Sequence, residues 1–573
     1  MADYKREYEH WKKQKLEDPD LTKELNSLKD DTSIKHNFRD ELSFGTAGIR
    51  AKLGVGIKRL NIYVIRRATY GLAMWINETY PLVQHKSVSI SYDSRIKSRL
   101  FAEEASRILI DHGIHIYIYK DIMPTPLCSW AVRFHKSQAG IMITASHNPK
   151  EYNGYKVYDW HGCQLTDEPA ARVYEIMKTR DYFDIKPTHT FQEGLDKGLI
   201  SYISNDCLEQ YYKYIDSLSI NRSKTRFAKI IYTPLNGTGL VPVTKVLQNA
   251  GFKNIYIVKE QEKPDGTFPS CPQPNPENPD ALKLMNQYLL KNKYDIALAT
   301  DPDCDRVAVS VLDKEGKVRT FSGNETGVLL FDYIVRRRMA NETLPRDPLM
   351  VKTIVSTNMI FPIARRFGIQ VKEVLTGFKY IGEQIHLLEK TKQADRFIFG
   401  FEESIGFLTG TQVRDKDAVN ASLLLAEMCD EYLKMGFTMA DRMEDLYKLY
   451  GYTLTVTDSY EFKSMDGMEK MNKIMDYFRN KYDFKSLNNL HAKLDCLTGI
   501  KMHADGYPEK YDLPKSNVLA FYFPEGIKVS IRPSGTEPKL KIYYYIVAKK
   551  KRHLKPLLAF YKLRFDSIVK RKA

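Results

Sequence analysis

Three aspartates alternate in Asp301-Pro302-Asp303-Cys304-Asp305-Arg306, a spacing that lets three carboxylates converge on one hard cation. Carboxylates packed this closely repel, and a bound cation relieves the repulsion. Mg²⁺ suits such a loop because it takes oxygen ligands and commonly pairs carboxylates with phosphate. An EF-hand is excluded, since Arg306 stands where its glycine belongs and Leu312 where its glutamate belongs. A second cluster, Thr144-Ala145-Ser146-His147-Asn148-Pro149, presents Ser146 at the mouth of an apolar run, on a turn that Asn148-Pro149 enforces. Ser146 with His147 as its base would make a hydrolase pair, but neighbouring residues rarely meet in that geometry and no G-x-S-x-G elbow is present. A serine that carries a phosphoryl group fits better, because its phosphate would supply an oxygen to the cation held by Asp301, Asp303 and Asp305. Read alone, the segment is equally a plain turn.

Four further clusters bear on the same chemistry. Asn153-Gly154-Tyr155-Lys156 places Lys156 after a bend, as a charge clamp for phosphate, a proton carrier or a surface lysine. Gly400-Phe401-Glu402-Glu403-Ser404 offers two carboxylates and a hydroxyl to share hydrogen bonds with sugar hydroxyls, against a plain helix cap by Ser404. Arg532-Pro533-Ser534-Gly535-Thr536 combines a bidentate fork, two hydroxyls and a bend that exposes backbone N–H groups, which reads as a phosphate pocket more readily than as a hairpin turn. In Phe44-Gly45-Thr46-Ala47-Gly48-Ile49-Arg50 two glycines let the backbone approach a ligand, with Arg50 close behind, a weak signal alone.

The elements that must position these clusters recur as a short apolar strand, a polar loop and a helix. Strands are expected at 88–92, 140–144, 229–233, 296–299, 307–312, 350–355 and 396–401, and most of the polar clusters follow the carboxyl ends of such strands. In layered α/β sheets ligands gather beyond those ends. Residues 3–16 carry Tyr4, Tyr8 and Trp11 at helical spacing and predict an amphipathic helix that packs on the first domain. Six prolines between Pro264 and Pro279 forbid regular structure there. After about residue 446 the pattern changes, and 518–523, 527–531 and 540–547 predict adjacent antiparallel strands.

A chain of 573 residues requires several domains, and 43% hydrophobic with 28% charged residues is ordinary for a soluble globular protein. The formal charge of +16 has three readings: a lysine-rich surface without a role, a basic cleft for a small phosphorylated substrate, or a nucleic-acid partner. The basic residues are scattered, densest at Lys549-Lys550-Lys551-Arg552, and no groove-reading motif accompanies them, which disfavours nucleic acid. Seven cysteines without metal spacing predict free thiols in a reducing compartment. The N-terminus is neither a signal nor a transit sequence, and no apolar run approaches the ~20 residues that span a bilayer. A cytoplasmic location without membrane attachment is expected.

Taken in order, these segments resemble the α-D-phosphohexomutase superfamily, of the phosphoglucomutase/phosphomannomutase type, from Gly45 to the loop at Arg532. The resemblance implies an α/β protein of four domains around a central cleft, with three similar mixed-sheet α/β domains (1–222, 223–322 and 323–445) and an α+β domain (446–573). It implies Ser146 as a phosphoserine, Mg²⁺ on Ser146, Asp301, Asp303 and Asp305, and Lys156 as general acid or base beside His147. Arg50 and Arg306 would offset transferring charge. Glu402 and Ser404 would hold sugar hydroxyls, Thr376, Gly377 and Lys379 would form the sugar-specificity turn, and Arg532, Ser534, Gly535 and Thr536 would grip the non-reacting phosphate. The implied reaction interconverts glucose 1-phosphate and glucose 6-phosphate through a bisphosphorylated sugar, with glucose 1,6-bisphosphate as activator and a small phosphosugar as partner, in a monomer or weak homo-oligomer. Phosphopentomutase and phosphomannomutase activities are the alternatives. Two unrelated readings are a phosphatase with an aspartate nucleophile, which would not need Ser146, and a basic nucleic-acid or scaffold protein, which leaves the acidic loop unexplained.

Overall fold

Strands buried on both faces read as unbroken apolar runs, and the three N-terminal sheets are built on such strands. The structure, a computed structural model, describes residues 4–45, 48–223, 225–462, 466–482, 489–534 and 539–572, so Gly535 and Thr536 of the expected phosphate pocket lie outside the described residues. The first sheet comprises β1 (Ile49–Lys52), β2 (Ser87–Tyr92), β3 (His115–Ile118), β4 (Ala139–Ile143), β5 (Tyr152–Asp159) and β6 (Ile200–Tyr202), in the order β1-β5-β4-β2-β3-β6. The run β4-β2-β3-β6 is parallel, and β5 and β1 add antiparallel at one edge.

The second sheet repeats this plan with β7 (Ile230–Thr233), β8 (Ile255–Ile257), β9 (Ile296–Thr300), β10 (Val307–Leu312) and β11 (Val318–Thr320). Its core β9-β7-β8 is parallel, and β10 turns back antiparallel on β9. The third has β12 (Leu349–Thr353), β13 (Gln370–Val374), β14 (Phe397–Glu402) and β15 (Gly406–Leu408), parallel except for the β14–β15 hairpin. In each sheet the chain turns back into an antiparallel strand at a polar cluster: Ser146 between β4 and β5, Asp301–Arg306 between β9 and β10, and Glu403–Ile405 between β14 and β15. All seven strands expected in this part of the chain are present, with ends displaced by at most two residues.

The fourth sheet is wholly antiparallel, with β16 (Tyr452–Glu461), β17 (Ala492–Asp495), β18 (Ile500–His503), β19 (Pro508–Lys510), β20 (Leu519–Tyr522), β21 (Lys528–Pro533) and β22 (Lys539–Ala548) in the order β16-β22-β21-β20-β17-β18-β19. The three strands expected here are β20, β21 and β22. Four more flank them.

Three packing features bring the loops together. The N-terminal helix Tyr4–Lys12 buries Trp11 completely against Phe38, Tyr63, Tyr182 and Phe183, so it packs on the first domain as its spacing predicts. The helix Ala418–Lys434, almost entirely buried, leaves the third sheet and packs against β9, β10 and the helix Leu240–Asn249 of the second, giving the two units one continuous core. Its N-cap Asp417 accepts from Asn420 N at 3.0 Å and from Tyr211 Oη at 3.1 Å, which fixes the residues just before it. The proline-rich loop bridges units, with Gly266 pairing with Arg95 and Phe268 lying against the Arg95 guanidinium.

Candidate active site

Ser146 sits in the left-handed region at φ 51°, a conformation that costs a non-glycine residue about 1–2 kcal/mol and persists only when its surroundings fix it. Arg95 does much of that fixing. Its buried guanidinium donates to four carbonyls of the loop: Ser146 at 2.6 Å, Asn148 at 2.5 Å, Pro149 at 2.9 Å and Tyr152 at 3.0 Å. The turn directs Ser146 Oγ to Asp301 Oδ2, 2.7 Å away in the second unit, and brings His147 Nδ1 within 3.2 Å. The neighbouring serine and histidine thus do meet, contrary to expectation, because the left-handed residue folds one side chain back on the next. Replacing Arg95 with alanine is expected to lower turnover about 100-fold through misplacement of Ser146. It should also cost about 3 kcal/mol, since four carbonyls, that of Ser146 fully buried, lose a charged donor. Steady-state kinetics and urea unfolding would check both effects.

The acidic loop converges as its spacing predicts. Asp301, Asp303 and Asp305 are buried, and one oxygen from each lies within 4.8 Å of the others. Asp301 Oδ1 closes the loop by accepting from Asp305 N at 3.1 Å and Arg306 N at 3.0 Å. Asp303 Oδ1 and Asp305 Oδ1 are buried without a hydrogen-bond partner. Unpartnered buried carboxylate oxygens in a cluster of three aspartates are a costly arrangement that a divalent cation satisfies, so this donor set fits a hard metal. Burial and the two neighbouring carboxylates push Asp301 well above the ordinary aspartate range. Asp303, though equally buried, is held below it by Lys156 and Thr125. Gly237 explains how the loop is seated, because a Cβ there would lie 2.4 Å from Pro302 Cα. Thr238 holds Pro302 O through N at 2.8 Å and Oγ1 at 2.9 Å.

Two buried lysines face the aspartates. Lys156 Nζ lies 2.7 Å from Asp303 Oδ2 and 3.3 Å from Asp305 Oδ2, and although burial alone would lower its pKa, these partners raise it. It is therefore an ammonium held between two carboxylates. Lys416, from the loop before the long third-unit helix, reaches Asp305 Oδ2 at 3.2 Å and Asp415 Oδ1 at 2.9 Å. Tyr158 Oη donates to Asp415 at 2.9 Å. Thr125 donates to Asp303 Oδ2 at 2.8 Å. Thr125, Asp415, Lys416 and Arg95 escaped sequence reasoning as site residues. The charged run Arg414-Asp415-Lys416-Asp417 just after an apolar hairpin was the available signal for two of them.

Arg50 Nη1 donates to Asn148 Oδ1 at 3.0 Å, which puts its charge over the serine loop. Arg306 pairs with Glu277 of the proline-rich loop at 3.4 Å and lies 3.7 Å from Asp305. Burial, then the charges of Arg306 and Arg50, hold His147 well below the usual histidine range, so its ring is neutral.

The two glutamates at the end of β14 separate in role. Glu402 accepts from Gly377 N at 2.8 Å, joining the expected sugar turn at Thr376-Gly377, and its charge acts on Arg306 and Lys416. Glu403 points instead to Thr353 Oγ1 at 3.2 Å and Ser356 Oγ at 3.5 Å. Lys379 is engaged by Asp167 of the first unit at 2.6 Å. Ser404 lies in the turn between Glu403 and the left-handed Ile405. Arg532 lies against Tyr543, and Ser534 N donates to Lys539 O at 2.7 Å, closing the base of the expected phosphate loop.

Burial, then the charge of Glu402, raise Glu403 from 4.5 to about 7. The folded chain therefore holds this proton more tightly than the unfolded chain. Stability should fall as pH rises from 4.5 to 7 and level off above, by about 3 kcal/mol for this group. Glu403→Gln should flatten that window in urea unfolding measured across pH.

Residues 41–183, 209–316 and 322–450 match phosphoglucomutase/phosphomannomutase alpha/beta/alpha domains I, II and III in turn. A phosphoglucomutase of Staphylococcus saprophyticus is 36% identical over 528 residues, which cover 91% of this chain and 94% of that one. A phosphoglucomutase of Staphylococcus aureus is 35% identical over 532 residues, covering 91% and 93%. Among solved structures, the open form of the exocytosis-sensitive phosphoprotein parafusin, a phosphoglucomutase from Paramecium, shares the fold with TM-score 0.67 at 16% identity, covering 93% and 96%. A phosphoglucomutase/phosphomannomutase family protein of Burkholderia thailandensis also gives 0.67 at 16% identity, covering 92% and 97%. With its motifs in order, its three matched domains and relatives of this identity over nearly its whole length, the chain belongs to the phosphoglucomutase/phosphomannomutase family.

Proposed function

We propose that this chain is a phosphoglucomutase that moves a phosphoryl group between the 1- and 6-positions of glucose through Ser146. The observation that carries the reading is the 2.7 Å approach of Ser146 Oγ to Asp301, beside two buried, unpartnered carboxylate oxygens contributed by a different domain. Asp301, Asp303, Asp305 and a phosphoryl oxygen on Ser146 would hold Mg²⁺. When bound, that ion neutralises charge on the phosphoryl oxygens. Phosphorylated Ser146 gives its phosphoryl group to the free hydroxyl of the sugar monophosphate: the P–O bond to Oγ breaks, the P–O bond to the sugar forms, and the hydroxyl proton ends on Oγ. His147 Nδ1, neutral and 3.2 Å from Oγ, would exchange that proton. Lys156 and Arg50 offset charge on the group in transit.

The bisphosphate then presents its other phosphate to Ser146. Arg532 and its loop hold whichever phosphate is not reacting, while Glu402 and Ser404 hold sugar hydroxyls. Glucose 1,6-bisphosphate, supplied in trace, primes Ser146. The chain acts in the cytoplasm on a small phosphosugar, as a monomer or weak homo-oligomer, with no nucleic-acid or membrane partner. Phosphorus NMR tests this in parallel tubes of glucose, mannose and ribose 1-phosphate with Mg²⁺ and trace glucose 1,6-bisphosphate. Fast conversion of the glucose ester is expected. Conversion of the ribose ester alone would make the chain a phosphopentomutase, and a preference for the mannose ester a phosphomannomutase.

A further inference from the structure

On the far side of β5 a second cluster of metal-ligating side chains spans two domains. His161 lies in the turn after β5, where Asp159 Oδ1 accepts from His161 N at 2.9 Å and Cys163 N at 3.1 Å. Ser129 Oγ fastens Gly162 O of the same turn at 2.7 Å. His386 and Glu389 lie one turn apart on the helix Lys379–Lys390 of the third domain. The two imidazoles face each other with ring centroids 3.4 Å apart, and one donor atom from each of His161, His386 and Glu389 lies within 4.8 Å of the others.

The three side chains are held in place yet have coordination to spare. Glu389 is fixed as a carboxylate by Arg133 at 2.9 Å on Oε1 and Arg414 at 2.8 Å on Oε2, and each oxygen keeps a free lone pair. His386 Nδ1 is buried with no hydrogen-bond partner, and Glu389 Oε2 lies 3.9 Å from it. Two charged imidazoliums could not sit this close between two guanidiniums. A neutral imidazole keeps the lone pair of one ring nitrogen available for a cation. The cluster opens on a cavity of about 800 Å³ lined by Trp160, Trp130 and Gln412.

We infer that His161, His386 and Glu389 form a second cation site, specific for a borderline transition ion such as Zn²⁺, that ties the first domain to the third. Two imidazoles and one carboxylate match a tetrahedral zinc set whose fourth position, facing the cavity, takes water. Mg²⁺ is poorly served by imidazole and belongs to the all-oxygen aspartate loop, so the two sites separate the two ions by ligand chemistry. The flanking guanidiniums make this site weaker than a closed four-ligand zinc centre. Its mechanical consequence follows from the helix: Lys379, at the end of the expected sugar turn and the start of the helix, is two turns from His386, so a bound ion restrains the element that carries that turn.

Calorimetric titration of the whole enzyme with Zn²⁺, in saturating Mg²⁺ to fill the aspartate loop, tests this. One zinc per chain is expected, with affinity at least about tenfold weaker in His161→Ala and in His386→Ala. Zinc should also raise the melting temperature of the unmodified enzyme but not of His386→Ala. X-ray absorption of the zinc-loaded, unmodified protein provides a measurement that needs no variant, and two imidazoles in the first shell are expected. An all-oxygen shell, binding that survives both substitutions, or no saturable binding would each overturn the assignment.

Discussion

Replacing Ser146 with alanine lowers turnover by on the order of 10⁴-fold or more and leaves the fold intact. The size follows from the role: without Oγ no covalent phosphoryl carrier exists, and at about 1.4 kcal/mol per tenfold this corresponds to about 5.5 kcal/mol of lost transition-state stabilisation. The structural cost is small by comparison. Alanine keeps Cβ, so the left-handed backbone at 51° is no more strained than with serine. The bonds of Oγ to Asp301 and His147 are lost, each worth about 1 kcal/mol. Coupled assay of glucose 6-phosphate formation, with circular dichroism to verify folding, separates the two effects. Near-normal turnover would remove the phosphoserine mechanism and favour the aspartate-nucleophile reading.

Asp303→Asn should abolish activity as severely while leaving the metal-free protein as stable as before. Asparagine removes one of the carboxylates that supply the buried, unpartnered oxygens, so the cation loses a charged ligand. Two effects on the metal-free fold oppose each other. Lys156 loses its 2.7 Å partner but keeps Asp305 at 3.3 Å, and Asp301 loses a repelling neighbour. The readout is therefore the increment that Mg²⁺ adds. At 100 times its dissociation constant a ligand specific for the folded state contributes about 2.7 kcal/mol, which the unmodified enzyme should show in thermal unfolding and Asp303→Asn should not. An equal Mg²⁺ increment in both proteins would place the ion elsewhere.

The strand-and-loop repeats were legible because buried strands are apolar on both faces and the polar clusters after them break that pattern abruptly. Ser146, the three aspartates and Glu402 were legible because each lies within one short segment whose residue types make sense together. What could not be read came from tertiary approach. Arg95 and Thr125 lie far along the chain from the groups they hold, and Lys416 is positioned by the capping of the next helix. The separate roles of Glu402 and Glu403 depend on which neighbouring strand end each one meets. Strand β16 was missed because its side chains are half-exposed, so no apolar run marks it. The pairing of Lys379 with Asp167 joins two domains, and local spacing carries no trace of it.

The most direct measurement is peptide mass spectrometry of the enzyme after exposure to glucose 1,6-bisphosphate and Mg²⁺, before and after rapid mixing with glucose 1-phosphate. A single phosphoryl group on Ser146, discharged within one turnover, is the predicted result. A phosphoryl group on Asp301, or turnover with Ser146 never modified, would contradict the account.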